Sequence, residues 1–377
     1  EFLPRRVRMQ IKRLFGLLSL LLPIKAFASS LEDKAGLSFD FYTDNTDVQV
    51  YSPTFSFFKT LTKKFLIGIK MRIDAISAAS IRKGGSPVIS DAVTGATARR
   101  TFDDVRYAPT ILGVYDDGDN TLTLGAYYST ERDYTGRSVF GSYIRQLNLQ
   151  NTAVGISFSQ SFDKWEPVFK RNLPRSDRKE RKIDFSVSQL LSPTAMLQLI
   201  YSNLYSEGFL GSPYHYLLRK DFARFETLPQ TRKGHAFAIK FVKLINEPTS
   251  VNLSYRYYTD DWGIRSHTGD VKLLRDVAKE LTLGIRFRYY TQTKADFAKE
   301  LQDYKLTDRY VAVDYRLSAF SSRTLGLLFI KGFGLSGFKL KGAVNYYMTS
   351  SNSYIKNWYG KDRITAWFGS VSLDYSF

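Results

Sequence analysis

The chain has 377 residues, enough for one large domain or two small ones, and carries 54 Lys and Arg against 36 Asp and Glu, a formal net charge of +18. Aromatic residues make up 15% of it, with 25 Tyr and 28 Phe, yet mean hydropathy is only −0.25, as in strands that show lipid only every second side chain. With no Cys and three His (His215, His235 and His267), disulfide scaffolds, thiolate zinc sites, iron–sulfur clusters and c-type haem attachment are excluded, and neither a metal centre nor a cofactor is expected.

At the N-terminus, Met9 reads as the start of translation, Lys12 and Arg13 as a positive leader, and 14–24 as an apolar segment too short to span a bilayer as a helix. Ala26-Phe27-Ala28 puts small residues where a signal peptidase reads, which predicts upstream residues plus a signal peptide over 1–28, cleavage after Ala28, and a single barrel domain over 29–377. The leader holds six basic residues and one acid, so about +13 of the +18 remains beyond it. In an exported protein that charge meets lipopolysaccharide phosphates and small anions; nucleic acid is not an expected partner.

Period-two alternation begins at Ala35 and recurs to the end. Phe65, Ile67, Ile69, Met71 and Ile73 share one face, and Leu66, Gly68, Lys70, Arg72 and Asp74 share the other. The same split sets Leu281, Leu283, Ile285, Phe287 and Tyr289 against Thr282, Gly284, Arg286, Arg288 and Tyr290. It sets Phe338, Leu340, Val344, Tyr346 and Met348 against Lys339, Lys341, Asn345 and Tyr347. Strands of about ten residues with one apolar and one polar face have the length and pattern of transmembrane strands.

Short turn signals at 116–120, 191–194, 246–249 and 332–337 alternate with polar stretches at 78–104, 163–180, 203–234, 291–314 and 349–362. That alternation of short periplasmic turns with long extracellular loops predicts about sixteen strands, with both ends in the periplasm. At the C-terminal end Trp367, Val371, Leu373, Tyr375 and Phe377 alternate, with Gly369 in register, the pattern by which the outer-membrane assembly machinery recognises a barrel strand. An open sheet cannot satisfy its edges in lipid. The predicted fold is therefore all-β, a transmembrane antiparallel β-barrel of the cell outer membrane.

Four stretches are distinctive: Asp74-Ala-Ile-Ser-Ala-Ala-Ser80, Arg256-Tyr-Tyr-Thr-Asp-Asp-Trp-Gly-Ile-Arg-Ser-His-Thr268, Arg288-Tyr-Tyr-Thr-Gln-Thr-Lys-Ala-Asp-Phe297 and Ser318-Ala-Phe-Ser-Ser-Arg-Thr-Leu-Gly326. Together they resemble a family of Gram-negative outer-membrane barrels catalogued as a domain of unknown function, over nearly the whole chain. The resemblance implies the barrel and no particular activity. Through the flavin-attachment and thioredoxin-like proteins encoded near its members, it also implies a periplasmic redox setting. Members carry more acid in the early loops, where this chain has Arg82-Lys83 and Arg99-Arg100.

Alternation assigns Lys70, Arg72, Lys240, Arg256, Lys272, Arg286, Arg288, Lys339 and Lys341 to the lumen, against the acids Asp74, Asp270 and Asp374. A lumen of that sign would favour anions, unless its charges pair across the ladder. A second grouping at the strand ends, Asp260, Asp261, Trp262, His267, Tyr290 and Arg323, forms a candidate rim site. The leading expectation is a porin-like conduit for small anionic solutes, narrowed by loops 203–234 and 291–314. The alternative is a non-conducting scaffold for a periplasmic redox or lipoprotein partner. An outer-membrane hydrolase is the third reading, and it requires Asp260, Asp261 and His267 within hydrogen-bond reach of one another; no nucleophile elbow accompanies them. His215 reads as a mobile or plug-forming loop residue, and His235 as an interfacial anchor on the side of Phe237 and Ile239.

Overall fold

The structure, a computed structural model, describes residues 31–78, 104–132, 134–165, 176–211, 215–218 and 223–377. The expected leader and the first long loop, with Arg82-Lys83 and Arg99-Arg100, lie outside these residues. The first nine strands are β1 (Lys34–Asp44), β2 (Val48–Thr62), β3 (Phe65–Ala78), β4 (Asp104–Asp116), β5 (Asn120–Thr130), β6 (Tyr134–Leu147), β7 (Thr152–Trp165), β8 (Ser176–Ser192) and β9 (Ala195–Gly208). A small hairpin of β10 (Tyr216–Leu218) and β11 (Ala223–Phe225) follows. Then come β12 (Thr231–Asn246), β13 (Thr249–Asp260), β14 (Arg265–Ala278), β15 (Leu281–Gln292), β16 (Phe320–Gly332), β17 (Phe338–Thr349) and β18 (Thr365–Ser376). Apart from the hairpin, every described strand pairs antiparallel in one closed barrel of sixteen strands, with β9 bonded to β12. β18 closes on β1 from Lys34↔Ser376 to Asp44↔Ala366, so the barrel has no free edge.

The alternating sequence puts its apolar set outside. Leu37, Ile111, Leu325 and Leu327 are each at least 60% exposed, within a continuous belt that includes Ile67, Ile69, Leu124, Leu199, Ile285 and Val371. A belt of that extent would drive a soluble protein to aggregate, and lipid is its natural solvent. Aromatic residues bound it at both ends. Tyr107 and Tyr115 on β4, and Trp367 and Tyr375 on β18, stand eight residues apart and all face out. Eight residues run about 27 Å along a strand, the reach a tilted strand needs to cross the hydrocarbon. Among the described residues no helix is long and apolar enough to cross a membrane, so the crossing is by strands.

One end of the barrel has turns of two residues at Lys63-Lys64, Pro193-Thr194, Glu247-Pro248 and Lys279-Glu280. Each sits beside a register shift, at Thr60/Thr62, Leu190/Ser192, Leu244/Asn246 and Asp276/Ala278, which adds the local twist a tight return needs. The turn after β16 ends at Gly337 (φ 73), where a Cβ would collide with the Ser376 carbonyl. Strands run further into the opposite end than their composition predicts. Within the polar stretch 163–180 the described residues are strand, β7 continuing to Trp165 and β8 beginning at Ser176. Likewise the loop predicted at 203–234 shrinks to 209–230, and that at 291–314 runs from 293 to 319. Charge makes 176–180 read as loop, but alternate charges there face opposite sides and are neutralised by neighbours: Arg178 meets Asp163 at 2.8 Å, and Lys179 meets Glu207 at 3.1 Å.

Candidate functional site: a basic lumen wall beneath a packed loop cap

The lumen wall is built from the residues that alternate with the belt. Ladder pairing puts Lys70 beside Ser56 and Thr110, Lys240 beside Gln198 and Ser254, and Arg256 beside Ala238 and Thr268. Lys272 lies beside Asn252 and Arg286, Arg288 beside Asp270 and Thr324, Lys339 beside Asp374, and Lys341 beside Ser372. All of them occupy the face opposite the belt.

Much of this charge is paired within the wall. Arg72 contacts Asp40 and Asp74, both at 2.7 Å, and Asp74 also accepts from Arg106 Nε at 2.6 Å. Lys182 reaches Asp184 at 2.8 Å, Arg232 reaches Asp260 at 2.6 Å, and Lys341 reaches Asp374 at 2.6 Å. Asp270, buried, accepts from Arg286 at 2.6 Å and from Arg288 at 2.8 Å. Counting only Asp74, Asp270 and Asp374 as inward acids overstated the basic excess, because Asp40, Asp163, Asp184 and Asp260 also face inward. The alternation that runs through Ser38, Asp40 and Tyr42 carried that signal.

An excess remains on β12–β15. Among the described residues no carboxylate oxygen lies within 4.0 Å of Lys240, Arg256 or Lys272. Lys272 is only 6% exposed, and the Arg256 guanidinium lies 5.2 Å from the Tyr258 ring centre. On β6–β8 short side chains face one another at mid-strand, Ser142 opposite Ser157, Ser138 opposite Ser161, and Ser186 opposite Gly155, beside the Lys182–Asp184 and Arg178–Asp163 pairs. The cations without a carboxylate partner are therefore gathered on one side of the lumen, on β12–β14.

At the long-loop end, 209–211, 215–218, 223–230, 261–264, 293–319 and 350–364 pack into a cap with its own apolar core. One cluster joins Leu217, Leu301, Tyr304, Val311, Val313 and Tyr354. A second joins Trp262, Ile264, Ala295, Ala298, Ala312 and Leu317. The Tyr304 hydroxyl donates to the Ala312 carbonyl at 3.0 Å and accepts from the backbone N–H of Ala312 at 3.0 Å and of Lys299 at 3.1 Å. Arg224 donates to the carbonyls of Leu306, Asp308 and Arg309. His215 is buried and contacts Glu226 at 3.1 Å, and Glu226 accepts from Val313 N–H at 3.0 Å. The expected mobile His215 is thus a fixed member of the cap, because a buried carboxylate and a buried imidazole satisfy each other. Lys299 donates to Asp308 at 2.7 Å and holds that carboxyl below its usual range, while burial pushes the Tyr354 hydroxyl up. Tyr315, from the same cap, packs edge-on against Phe320, whose neighbour Tyr290 faces the lumen.

The family model described as "Protein of unknown function (DUF3570)" matches residues 25–371. The chain belongs to the DUF3570 family. No curated protein matches it in sequence. Among solved structures, a bacterial polysaccharide outer-membrane secretin is 6% identical with a TM-score of 0.51, over 93% of this chain and 100% of that one. The monoaromatic hydrocarbon channel TodX (a deltaS2 mutant) is 10% identical, with a TM-score of 0.44 over 93% of this chain and 91% of its own. OmpT of Vibrio cholerae, with loop L8 deleted, is 7% identical, with a TM-score of 0.44 over 92% and 98%. At such identity the secretin likeness is one of fold, and it agrees with the belt: this DUF3570 member is an outer-membrane β-barrel.

In this DUF3570 barrel the distinctive stretches lie at the long-loop ends of strands, yet they do not build one rim site. Asp260 faces the lumen, where it accepts from Arg232, from Tyr258 at 2.8 Å, and from the backbone N–H of Trp262 and Ile264, both at 3.0 Å. Asp261 accepts from Lys233 N–H at 2.9 Å. Trp262 is buried in the cap and donates Nε1 to the Thr231 carbonyl at 2.8 Å. Gly263 (φ 81) follows because any Cβ there would overlap the Asp296 carboxylate. His267 pairs with Tyr257 on the outer face and bonds the Tyr255 hydroxyl at 2.6 Å. Arg323 pairs with outward Tyr289, whereas Tyr290 points inward and donates to Gln292 at 2.5 Å. His267 and Arg323 are therefore separated from Asp260 and Tyr290 by the sheet itself, and the hydrogen-bonded Asp–His pair that hydrolysis requires is not assembled.

His235 stacks on Tyr201 and bonds its hydroxyl at 2.8 Å on the outer face. The C-terminal residues Trp367, Val371, Leu373, Tyr375 and Phe377 are exposed on the outer face, along or just beyond the closing strand. Among the described residues no group of His, Asp and Glu has the arrangement of a metal site.

Proposed function

We propose that the barrel is a conduit for small anionic solutes across the outer membrane. The observation that carries this reading is the run of Lys240, Arg256 and Lys272 on three successive lumen-facing strands with no carboxylate in ion-pair contact. Rings and strips of one sign set the selectivity of a pore, and a sixteen-stranded barrel encloses an aqueous lumen unless something fills it. The serine pairs of β6–β8 support the same reading, because short side chains take up little of the lumen. The cap supports a constriction at the mouth, with Tyr315 beside lumen-facing aromatics.

Single-channel recording of the refolded barrel in planar bilayers tests the proposal. Stable conductance steps are expected, with a smaller step in Lys240→Glu plus Arg256→Glu, which reverses the sign of the strip. A folded barrel that stays electrically silent would sink the conduit and leave the scaffold for a periplasmic redox or lipoprotein partner as the reading to pursue.

A further inference from the structure

The basic strip contains more than unpaired charge. Lys272 is 6% exposed, and a cation withdrawn from water without a carboxylate is costly. Each of its two lysines has an amide directly across the ladder: Asn252 beside Lys272, and Gln198 beside Lys240. Asn252 is 3% and Gln198 5% exposed, and neither Asn252 Oδ1 nor Gln198 Oε1 has a hydrogen-bond partner. Gln198 is oriented by its Nε2, which donates to Ser188 Oγ at 3.1 Å. The nearby carboxylates are already engaged: Asp270 by Arg286 and Arg288, and Asp184 by Lys182, Ser157 and Ser202. Two ammonium groups, the Arg256 guanidinium and two amide oxygens are thus left without partners on β9–β14, with Gln198 and Lys240 level with Ser254, Asn252 and Lys272 two residues to one side of that level and Arg256 two residues to the other.

We infer that this strip is a binding subsite for inorganic phosphate in its protonated form. Such a ligand meets both halves of the unmet demand. Its charged oxygens accept from Lys240, Lys272 and Arg256, and its P–O–H donates to an amide oxygen. Sulfate presents the same oxygens but carries no proton at neutral pH, so it would leave the amide oxygens unpaired, a defect that buried sites reject strongly. Chloride offers one centre and cannot bridge the strip. The subsite's part in passage rests on the conduit reading above; binding itself does not.

The test is phosphorus NMR of inorganic phosphate titrated with the refolded chain in micelles, with folding checked by the heat-dependent gel shift of a barrel. Saturable broadening is expected. Lys272→Met and Lys240→Met, which keep the side-chain volume, each weaken it about tenfold, the loss of one charge-assisted hydrogen bond. Lys179→Met, on the outer face opposite Glu207, leaves it unchanged. Sulfate displaces phosphate only at concentrations about tenfold higher or more. No saturable broadening by the folded chain, an unchanged affinity in both strip variants, or equal displacement by sulfate would each overturn the inference. Chloride current in bilayers separates the two proposals. Phosphate binding in a silent barrel keeps the subsite and removes the conduit, whereas anion-selective current without phosphate binding does the reverse.

Discussion

Replacing Asp270 by Asn removes the one carboxylate that Arg286 and Arg288 share, and the structure assigns opposite signs to its effects on stability and on selectivity. Asp270 is 4% exposed and takes three hydrogen bonds, from Arg286 Nε at 2.8 Å, a second Arg286 nitrogen at 2.6 Å, and Arg288 Nε at 2.8 Å. A charge-assisted hydrogen bond contributes about 1.5–3 kcal/mol. The loss is cushioned here, because the Arg288 side chain is 44% exposed and recovers water, and the Asn carbonyl still accepts from Arg286. A destabilisation of about 1–3 kcal/mol is expected, read as a lower urea midpoint for unfolding from micelles. The lumen meanwhile gains one positive charge. At about 6 Å through water that is worth about 0.7 kcal/mol before screening. With the roughly 10 Å Debye length of 0.1 M salt, the anion-to-cation permeability ratio should rise about threefold. A folded Asp270→Asn barrel whose selectivity is unchanged, or moves towards cations, would refute the placement of this wall along the path of ions.

Three further outcomes follow from the geometry. Tyr304→Phe removes a hydroxyl hydrogen-bonded to Lys299, Phe297 and Ala312 in the cap and should loosen it by about 1–3 kcal/mol, seen as faster proteolysis within 293–319 at an unchanged barrel unfolding midpoint. Ile111→Arg, in the belt, should cost about 2–4 kcal/mol or abolish folding into bilayers, whereas neighbouring Thr110→Arg, on the lumen face, should fold and lower conductance; equal behaviour of the two would contradict the facing of β4. His267→Ala should leave conductance and selectivity untouched, since the ring packs on Tyr255 and Tyr257 outside the barrel.

The sheet was legible because its physics is local. One residue in two meets lipid, so Leu283, Ile285 and Phe287 declare their face, and that face fixes Arg286 and Arg288 on the other. The pairing of charges was not legible, because it depends on which strands become neighbours and at what register. Asp40 and Arg72 are 32 residues apart and meet only because β1, β2 and β3 align as they do. The same limit dissolved the rim site. Asp260 ends β13 facing inward, and His267 returns on β14 beside outward Tyr257, a facing set by the hairpin rather than by closeness in sequence. Of the grouping's members, Trp262, with Gly263 next to it, serves to seat the cap. The cap itself left no periodic trace, since its contacts join residues more than eighty positions apart, such as Arg224 with Asp308 and Glu226 with Val313.

The measurement that bears most directly on the central claim is the reversal potential of the refolded barrel across a potassium chloride gradient. A potential displaced towards that of chloride is expected, with a displacement that shrinks in Lys240→Glu plus Arg256→Glu. A potential displaced towards that of potassium, from a folded barrel of native sequence, would contradict it.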